Sequence, residues 1–279
     1  MSKKNFNAEG RAQPSKDELV KFWGWIKTGD ACVEAAAAFL DRYPQAIHIP
    51  LTETDDWSTE AGIFPLHYAA KNGDNFHPAM VELLIARGAD VNGRDPWKRT
   101  PLHVHVSWDP RKGGKCLQLL LDKGADPNAR DCEGKTPLLR VAEQTQDSAQ
   151  AVALMNAGAD PNIADSRGSA PLRAVMANLV RGNDVIGVDR PLNIKAACAA
   201  ALIERGAQAN AAAVDGSSAV SFAKEYAFES GYVRDACDAV IEKGRADNAE
   251  GVAQEATQLA ATGTRRKTKT LPRIRFRSS

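Results

Sequence analysis

Two short phrases recur along this chain in a fixed order, and their recurrence limits the possible folds more than any other feature. The first is Phe64-Pro65-Leu66-His67, Thr100-Pro101-Leu102-His103, Thr136-Pro137-Leu138-Leu139 and Ala170-Pro171-Leu172-Arg173, with a weaker copy at Ser218-Ala219-Val220-Ser221. The second follows each of the first four copies: Gly88-Ala89-Asp90-Val91-Asn92, Gly124-Ala125-Asp126-Pro127-Asn128, Gly158-Ala159-Asp160-Pro161-Asn162 and Gly206-Ala207-Gln208-Ala209-Asn210. The steps between copies of the first phrase are 36, 36, 34 and 48 residues. A period of this size belongs to stacked repeats rather than to one compact core.

The phrases read as helix punctuation. A threonine before proline caps a helix start, and proline at the first helical position loses an N–H that would be unpaired anyway. Glycine at 88, 124, 158 and 206 falls where a helix stops in a conformation that penalises a Cβ. Ahead of each glycine stand paired apolar residues, Leu84-Ile85, Leu120-Leu121, Leu154-Met155 and Leu202-Ile203, and Val240-Ile241 has the same relation to Gly244. Each unit is therefore expected to be helix, turn, helix and extended loop. One unit cannot bury enough apolar surface to offset its lost chain entropy, so neighbours must stack.

The T-P-L-H phrase, the G-A-D-x-N phrase and the period together resemble ankyrin repeats over about residues 64–248. The resemblance implies an all-α solenoid of helix-turn-helix units joined by β-hairpin loops beside a concave helical face. About five repeats are expected, at 64–99, 100–135, 136–169, 170–217 and 218–248. Residues 15–63 read as a degenerate capping helix pair with a long connection, preceded by a flexible start at 1–14. Ser15-Lys16-Asp17-Glu18 has the spacing of a capping box. Residues 249–279 read as a short helix, on Val252, Ala256 and Leu259, and a basic disordered tail. The fourth unit carries an insertion over 177–194, expected to emerge as a loop.

Charge is unevenly spread. The chain totals +1, yet residues 265–279 hold seven cations and no acid, which leaves the rest at −6. A hydrophobic fraction of 43% and a charged fraction of 25% are those of a globular protein and argue against wholesale disorder. The polar start Met1–Gln13 lacks the apolar run of a secretory signal, and no apolar run is long enough to span a membrane. Five scattered cysteines without C-x-x-C spacing fit a reducing, cytoplasmic setting.

Catalytic signatures are missing. No G-x-S-x-G, H-E-x-x-H, P-loop or dinucleotide fingerprint occurs, and no catalytic residue, metal, cofactor or small-molecule substrate is expected. Arg111-Lys112-Gly113-Gly114-Lys115 has the wrong glycine spacing for phosphate and reads as an inter-helix turn. His103 and His105 sit two apart, on different faces of a helix. The resemblance gives His67 and His103 structural hydrogen bonds between units, while His105, in place of a small packed residue, is either partly exposed or widens its unit. Cys116 and Cys198 hold equivalent core positions, and Cys132 falls near a loop tip.

By the resemblance, loop tips and inner helices face a partner protein. Trp97 takes a tip position; it is either displayed there or folded back onto Trp57 or its own loop. Tyr68, Lys71, Trp108, Arg140 and Gln144 take positions facing the concavity and would suit an acidic, partly apolar surface. The expected function is thus a non-catalytic protein-binding scaffold. The alternatives are a host-directed effector or a toxin-neutralising protein using the same surface. A further alternative is weak contact of the basic tail with anionic lipid, nucleic acid or an acidic protein.

Overall fold

The structure, a computed structural model, describes residues 5–6, 12–51, 62–71, 78–108, 114–144, 148–181, 191–226 and 232–261. Helix α1 (Lys16–Thr28) opens the stack on Ser15, whose Oγ accepts from Glu18 N while the Glu18 carboxylate accepts from Ser15 N at 2.8 Å. A 3-10 turn, Gly29–Cys32, leads to α2 (Val33–Arg42), and a second follows at Pro44–His48. The repeats supply α3 (Pro65–Ala70) with α4 (Pro78–Ala86), α5 (Pro101–Trp108) with α6 (Gly114–Asp122), and α7 (Pro137–Gln144) with α8 (Ser148–Asn156). They continue through α9 (Pro171–Arg181) with α10 (Pro191–Glu204), then α11 (Ala219–Tyr226) with α12 (Tyr232–Ala261).

Odd-numbered helices pack against one another in one row and even-numbered helices in a second, each helix also touching its own partner. The repeated leucines lie between the rows. Leu66, Leu102, Leu138 and Leu172 are buried, as are Leu84, Leu120, Leu154, Leu202 and Val240, which occupy one register of the second helices. Burial of these side chains drives the stacking.

At Gly88, Gly124, Gly158 and Gly206 the backbone has φ between 84° and 93° and an added Cβ would meet nothing. Conformation, not space, requires glycine there: the turn lets Ala89 N reach Leu84 O at 3.0 Å and closes the helix end. Gly244 reverses this. Helix α12 runs through it to Ala261, so the expected stop, and the expected separate short helix at 252–259, are one continuous helix. A Cβ on Gly244 would lie 2.5 Å from Val220 Cγ2 and 2.9 Å from Asn210 Oδ1. This glycine is needed for close approach, not for a turn.

The β-hairpin loops implied by the resemblance are not formed. Among the described residues no loop between units contains a β-strand; the strands present, β1 (Asn5–Phe6) and β2 (Ala12–Gln13), pair antiparallel in the N-terminal segment expected to be flexible. In each of the first three loops a buried aspartate takes the N–H groups that a strand partner would otherwise use. Asp95 Oδ1 accepts from Trp97 N at 2.9 Å and Arg99 N at 2.7 Å, and Asp131 and Asp165 repeat the pattern two and four residues on. Side-chain capture of backbone donors of this kind competes with a ladder.

The insertion in the fourth unit also differs from expectation. Instead of emerging wholly as a loop it lengthens both helices: α9 has 11 residues and α10 has 14, against 8 and 9 in the two preceding pairs. Leu179, near the end of the longer α9, is buried, so the added turn has core to pack on. Residues 182–190, the connection around Trp57, the Arg111–Gly113 segment and the tail from 262 lie outside the described residues.

Candidate partner-binding surface

The loop tips are joined directly to one another. Cys132 N donates to Trp97 O at 2.9 Å, Ser166 N to Glu133 O at 2.9 Å, and Val214 N to Arg167 O at 2.9 Å. The register is the same at each step, so four tips form one row. Pro96 takes the donating place in the first tip and has no N–H, and its ring would be only 2.5 Å from a Cβ on Gly62. The row is therefore closed at its N-terminal end. Unit five has no such loop, because α12 continues where it would begin, and the row ends at Val214, which is 84% exposed.

Trp97 is 36% exposed at the first tip and the Arg99 guanidinium lies 4.7 Å from its ring centre. Arg99 is in turn held by Asp95, Nε to Oδ2 at 2.7 Å. Lys98, beside it, has φ +58°, where Gly134, Gly168 and Gly216 stand in the other tips at 76° to 78°. Among the described residues it is the one non-glycine with positive φ, a conformation that costs an L-residue about 1 kcal/mol. The indole is thus displayed on a backbone pinned from below. Exposed cations follow the row at Arg94, Lys98, Arg130 and Arg167, while the exposed acids of the tips are Glu133 and Asp215.

The inner-helix residues have different surroundings. Tyr68 is half-buried, edge-on to Trp23 at 6.1 Å between ring centres, with Lys27 Nζ at 5.9 Å and Lys71 Nζ at 5.6 Å from its ring. Arg140 is turned inward: its Nε donates to Asp131 Oδ2 at 3.0 Å, and Glu133 lies at 3.8 Å. Gln144 Nε2 donates to Ser107 O at 2.9 Å. The Trp108 side chain is outside the described residues. In the first repeat Trp97 is exposed and Tyr68 and Lys71 are half-buried, whereas Arg140 and Gln144 join neighbouring parts of the stack.

Gln144 belongs to a device that sequence reading missed. The last carbonyls of an inner helix have no partner within it, and a side chain from the next unit takes them. His105 Nδ1 donates to Ala70 O at 3.0 Å, Gln144 to Ser107 O, and Asn178 Nδ2 to Ala142 O at 3.5 Å with Glu143 O beside it. His105 is fully buried, which excludes the partial exposure expected as one alternative. The donors are of different types in each unit, so no motif announces them. The buried aspartates 95, 131 and 165 do share a spacing and were visible as one.

The second phrase also has its explanation. Asn92 Nδ2 donates to Gly124 O and its Oδ1 accepts from Asp126 N; Asn128 repeats this on Gly158 and Asp160, and Asn162 on Gly206 and Gln208, all at 2.8 to 3.1 Å. One amide per unit ties each turn to the next. His67 and His103 act likewise, Nε2 donating to Arg99 O at 2.9 Å and Lys135 O at 3.0 Å. Burial lowers the pKa of both rings and keeps them neutral. Cys116 and Cys198 are buried, and burial pushes the Cys116 thiol up to about 12, so it is no nucleophile.

A family model described as ankyrin repeats in three copies matches residues 35–131 and 66–165. Over residues 35–165 the chain is thus similar to ankyrin-repeat proteins. No curated protein matches it. The ankyrin stack is an all-α, non-catalytic scaffold of a kind generally suited to contacts with other proteins. Among the described residues no group of three or more His, Cys, Asp or Glu is placed to hold a metal ion, and no helix is long and apolar enough to cross a membrane. Between the third and fourth loops of the stack lies a groove of about 630 Å³. Its walls include Arg173, already paired with Asp215 at 2.7 Å.

Proposed function

We propose that the chain binds an acidic, partly apolar surface of another protein through its row of loop tips and the first inner helices. The observation that carries this reading is Trp97, an exposed indole on a tip whose backbone is held by Asp95 and whose face is covered by Arg99. Tryptophan and arginine dominate binding energy at interfaces, and a pre-ordered tip loses little entropy on docking. The cations along the row, with Tyr68 and Lys71 on the first inner helix, favour an acidic partner. The body without its tail is at −6, so this basic row is local and gives docking a direction.

The test is affinity capture with mass spectrometry, comparing the wild type with the Trp97→Ala/Trp108→Ala variant. Partner capture should fall while the melting temperature stays almost unchanged. A large loss of helicity would instead make these tryptophans core residues and remove the proposal's basis.

A second reading rests on the seven cations of 265–279, which would contact anionic lipid, nucleic acid or an acidic protein. Deleting 264–279 separates the two: binding through the tail is lost with the segment, binding through Trp97 is not. A cytoplasmic setting remains part of the proposal, supported by five cysteines outside any disulfide, of which Cys116, Cys198 and Cys237 are buried. Adaptor, effector and toxin-neutralising roles would all use this surface.

A further inference from the structure

Each of the first three loops turns on a buried aspartate, and in the first two that aspartate has a guanidinium on its second oxygen. Asp95 Oδ2 accepts from Arg99 Nε at 2.7 Å, and Asp131 Oδ2 from Arg140 Nε at 3.0 Å. The third loop lacks this partner. Ser169 stands where Arg99 does, four residues after the aspartate, and Ala174 where Arg140 does, nine residues after it. Asp165 Oδ1 is occupied as in the other loops, accepting from Arg167 N at 2.9 Å and Ser169 N at 2.8 Å. Its Oδ2 makes no hydrogen bond or ion pair among the described residues.

The direction of that oxygen follows from the shared loop geometry. The same two amides hold Oδ1 of Asp131 and of Asp165, so both carboxylates are set alike and Oδ2 faces the inner helix that follows. On α7 Arg140 fills the place in front of it, whereas on α9 there is only the methyl group of Ala174. Asp165 and Ala174 both line the groove of about 630 Å³ between the third and fourth loops, far more room than one guanidinium fills. Asp165 is 9% exposed, and its Oδ2 is not among the unpaired polar atoms sealed from solvent, so the groove reaches it.

The other charges of the walls are paired with one another. Lys135 Nζ lies 2.8 Å from Glu143 Oε1 and 2.7 Å from Glu133 Oε2, and Arg173 donates to Asp215 Oδ2 and Ser169 Oγ. Arg167 is exposed at the tip and makes no ion pair with Asp165. A carboxylate nine-tenths buried without a counter-charge is unfavourable. The two preceding repeats show the group that relieves it.

We propose that the groove takes an arginine side chain of the partner protein, its guanidinium donating to Asp165 Oδ2 in the place that Arg140 fills one repeat earlier. That the arginine belongs to a partner rests on the reading under Proposed function, and Ser166, Arg167, Val214 and Asp215 of the groove belong to the same row of tips. A planar fork of N–H donors matches a carboxylate better than the point charge of lysine. The partner then lies with its acidic, partly apolar part at Trp97 and an arginine two tips further on, which fixes its direction along the row.

The full chain is titrated by calorimetry with the capped peptide Gly-Ala-Arg-Ala-Gly and with the same peptide carrying citrulline or lysine at its centre. The carboxylate carbon of Asp165 is followed by NMR. The arginine peptide should bind about tenfold tighter than the citrulline peptide, the gain of a charged over a neutral donor, and tighter than the lysine peptide, with the Asp165 signal moving. Asp165→Asn keeps an acceptor for the two loop amides and should bring the arginine peptide down to the citrulline level. Ala174→Arg supplies the guanidinium from α9 and should abolish binding. Equal affinities for arginine and citrulline peptides, undiminished binding by Asp165→Asn, or no binding at millimolar concentration overturns the proposal. Binding that appears only after the tail arginines 265, 266, 273, 275 and 277 are changed to lysine would put this chain's own guanidinium in the groove, and overturns it too. Peptide affinity should be unchanged in Trp97→Ala/Trp108→Ala. Loss of partner capture in that variant, without peptide binding to the wild type, would leave the partner reading standing and overturn this site.

Discussion

Arg140 on α7 holds the buried carboxylate of Asp131 nine residues earlier, its Nε 3.0 Å from Oδ2, while Oδ1 accepts from the backbone N–H groups of Glu133 and Lys135. One side chain thus closes the second loop and fastens it to the helix that follows. Replacing it strands an inward-facing guanidinium and two backbone donors. Asp131→Ala should lower unfolding free energy by about 3 kcal/mol, read from urea denaturation.

The same carboxylate gives an acid dependence. Burial raises its pKa, but the bonds from Arg140 and from the Lys135 N–H outweigh burial and hold it below the ordinary aspartate value of 3.8. A depressed folded pKa means that this stabilisation is complete above the unfolded value and is lost as pH falls through the folded one. Urea midpoints should drop below about pH 4, and Asp131→Ala should flatten that part of the profile.

His103 works at milder pH. Burial lowers its pKa despite the Lys135 carbonyl, so between the folded and unfolded values the unfolded chain binds a proton that the native ring does not. Stability is then full above about pH 6.5 and declines as pH falls through that value, with His67 acting in the same direction. Midpoints measured at pH 7.5 and 5.5 should differ, and a His67→Gln/His103→Gln variant should lose most of the difference.

Asn128 spans two units, donating to Gly158 O at 2.9 Å and accepting from Asp160 N at 2.8 Å. Both bonds are exposed to solvent, which limits their worth. Asn128→Ala should cost about 1 to 2 kcal/mol and speed hydrogen exchange at Asp160 more than at Leu154, whose core remains intact.

At Gly244 two effects oppose. Alanine within a helix gains about 1 kcal/mol over glycine, yet its Cβ would lie 2.5 Å from Val220 Cγ2 and press on the Asn210 amide. Overpacking of this severity costs about 1 to 3 kcal/mol, so Gly244→Ala should destabilise the chain on balance. Gly88→Ala has open space and should also destabilise, through its backbone at φ +93° alone. Crystal structures of the two variants would separate a displaced α11 from a strained turn.

The ends and faces of most helices could be read directly from residue spacing. Prolines 65, 101, 137 and 171 open inner helices, glycines 88, 124, 158 and 206 end outer ones, and the leucine beside each is buried. These are local matters: a capped turn or a left-handed glycine needs only its immediate neighbours. The capping box at Ser15 was legible for the same reason. Gly244 looked identical in sequence, and only the approach of Val220 and Asn210 from another unit shows why α12 continues through it.

What the sequence determined by itself was the period, the punctuation and the buried register, and with them a stack of helix pairs. Tertiary structure decided which polar side chains are displayed and which are consumed. Arg140 and Gln144 have the spacing of surface residues, yet their partners are Asp131 and Ser107, brought within reach by helix packing. Helix punctuation depends on neighbours along the chain, whereas a donor's choice of acceptor depends on which groups packing brings within about 3 Å.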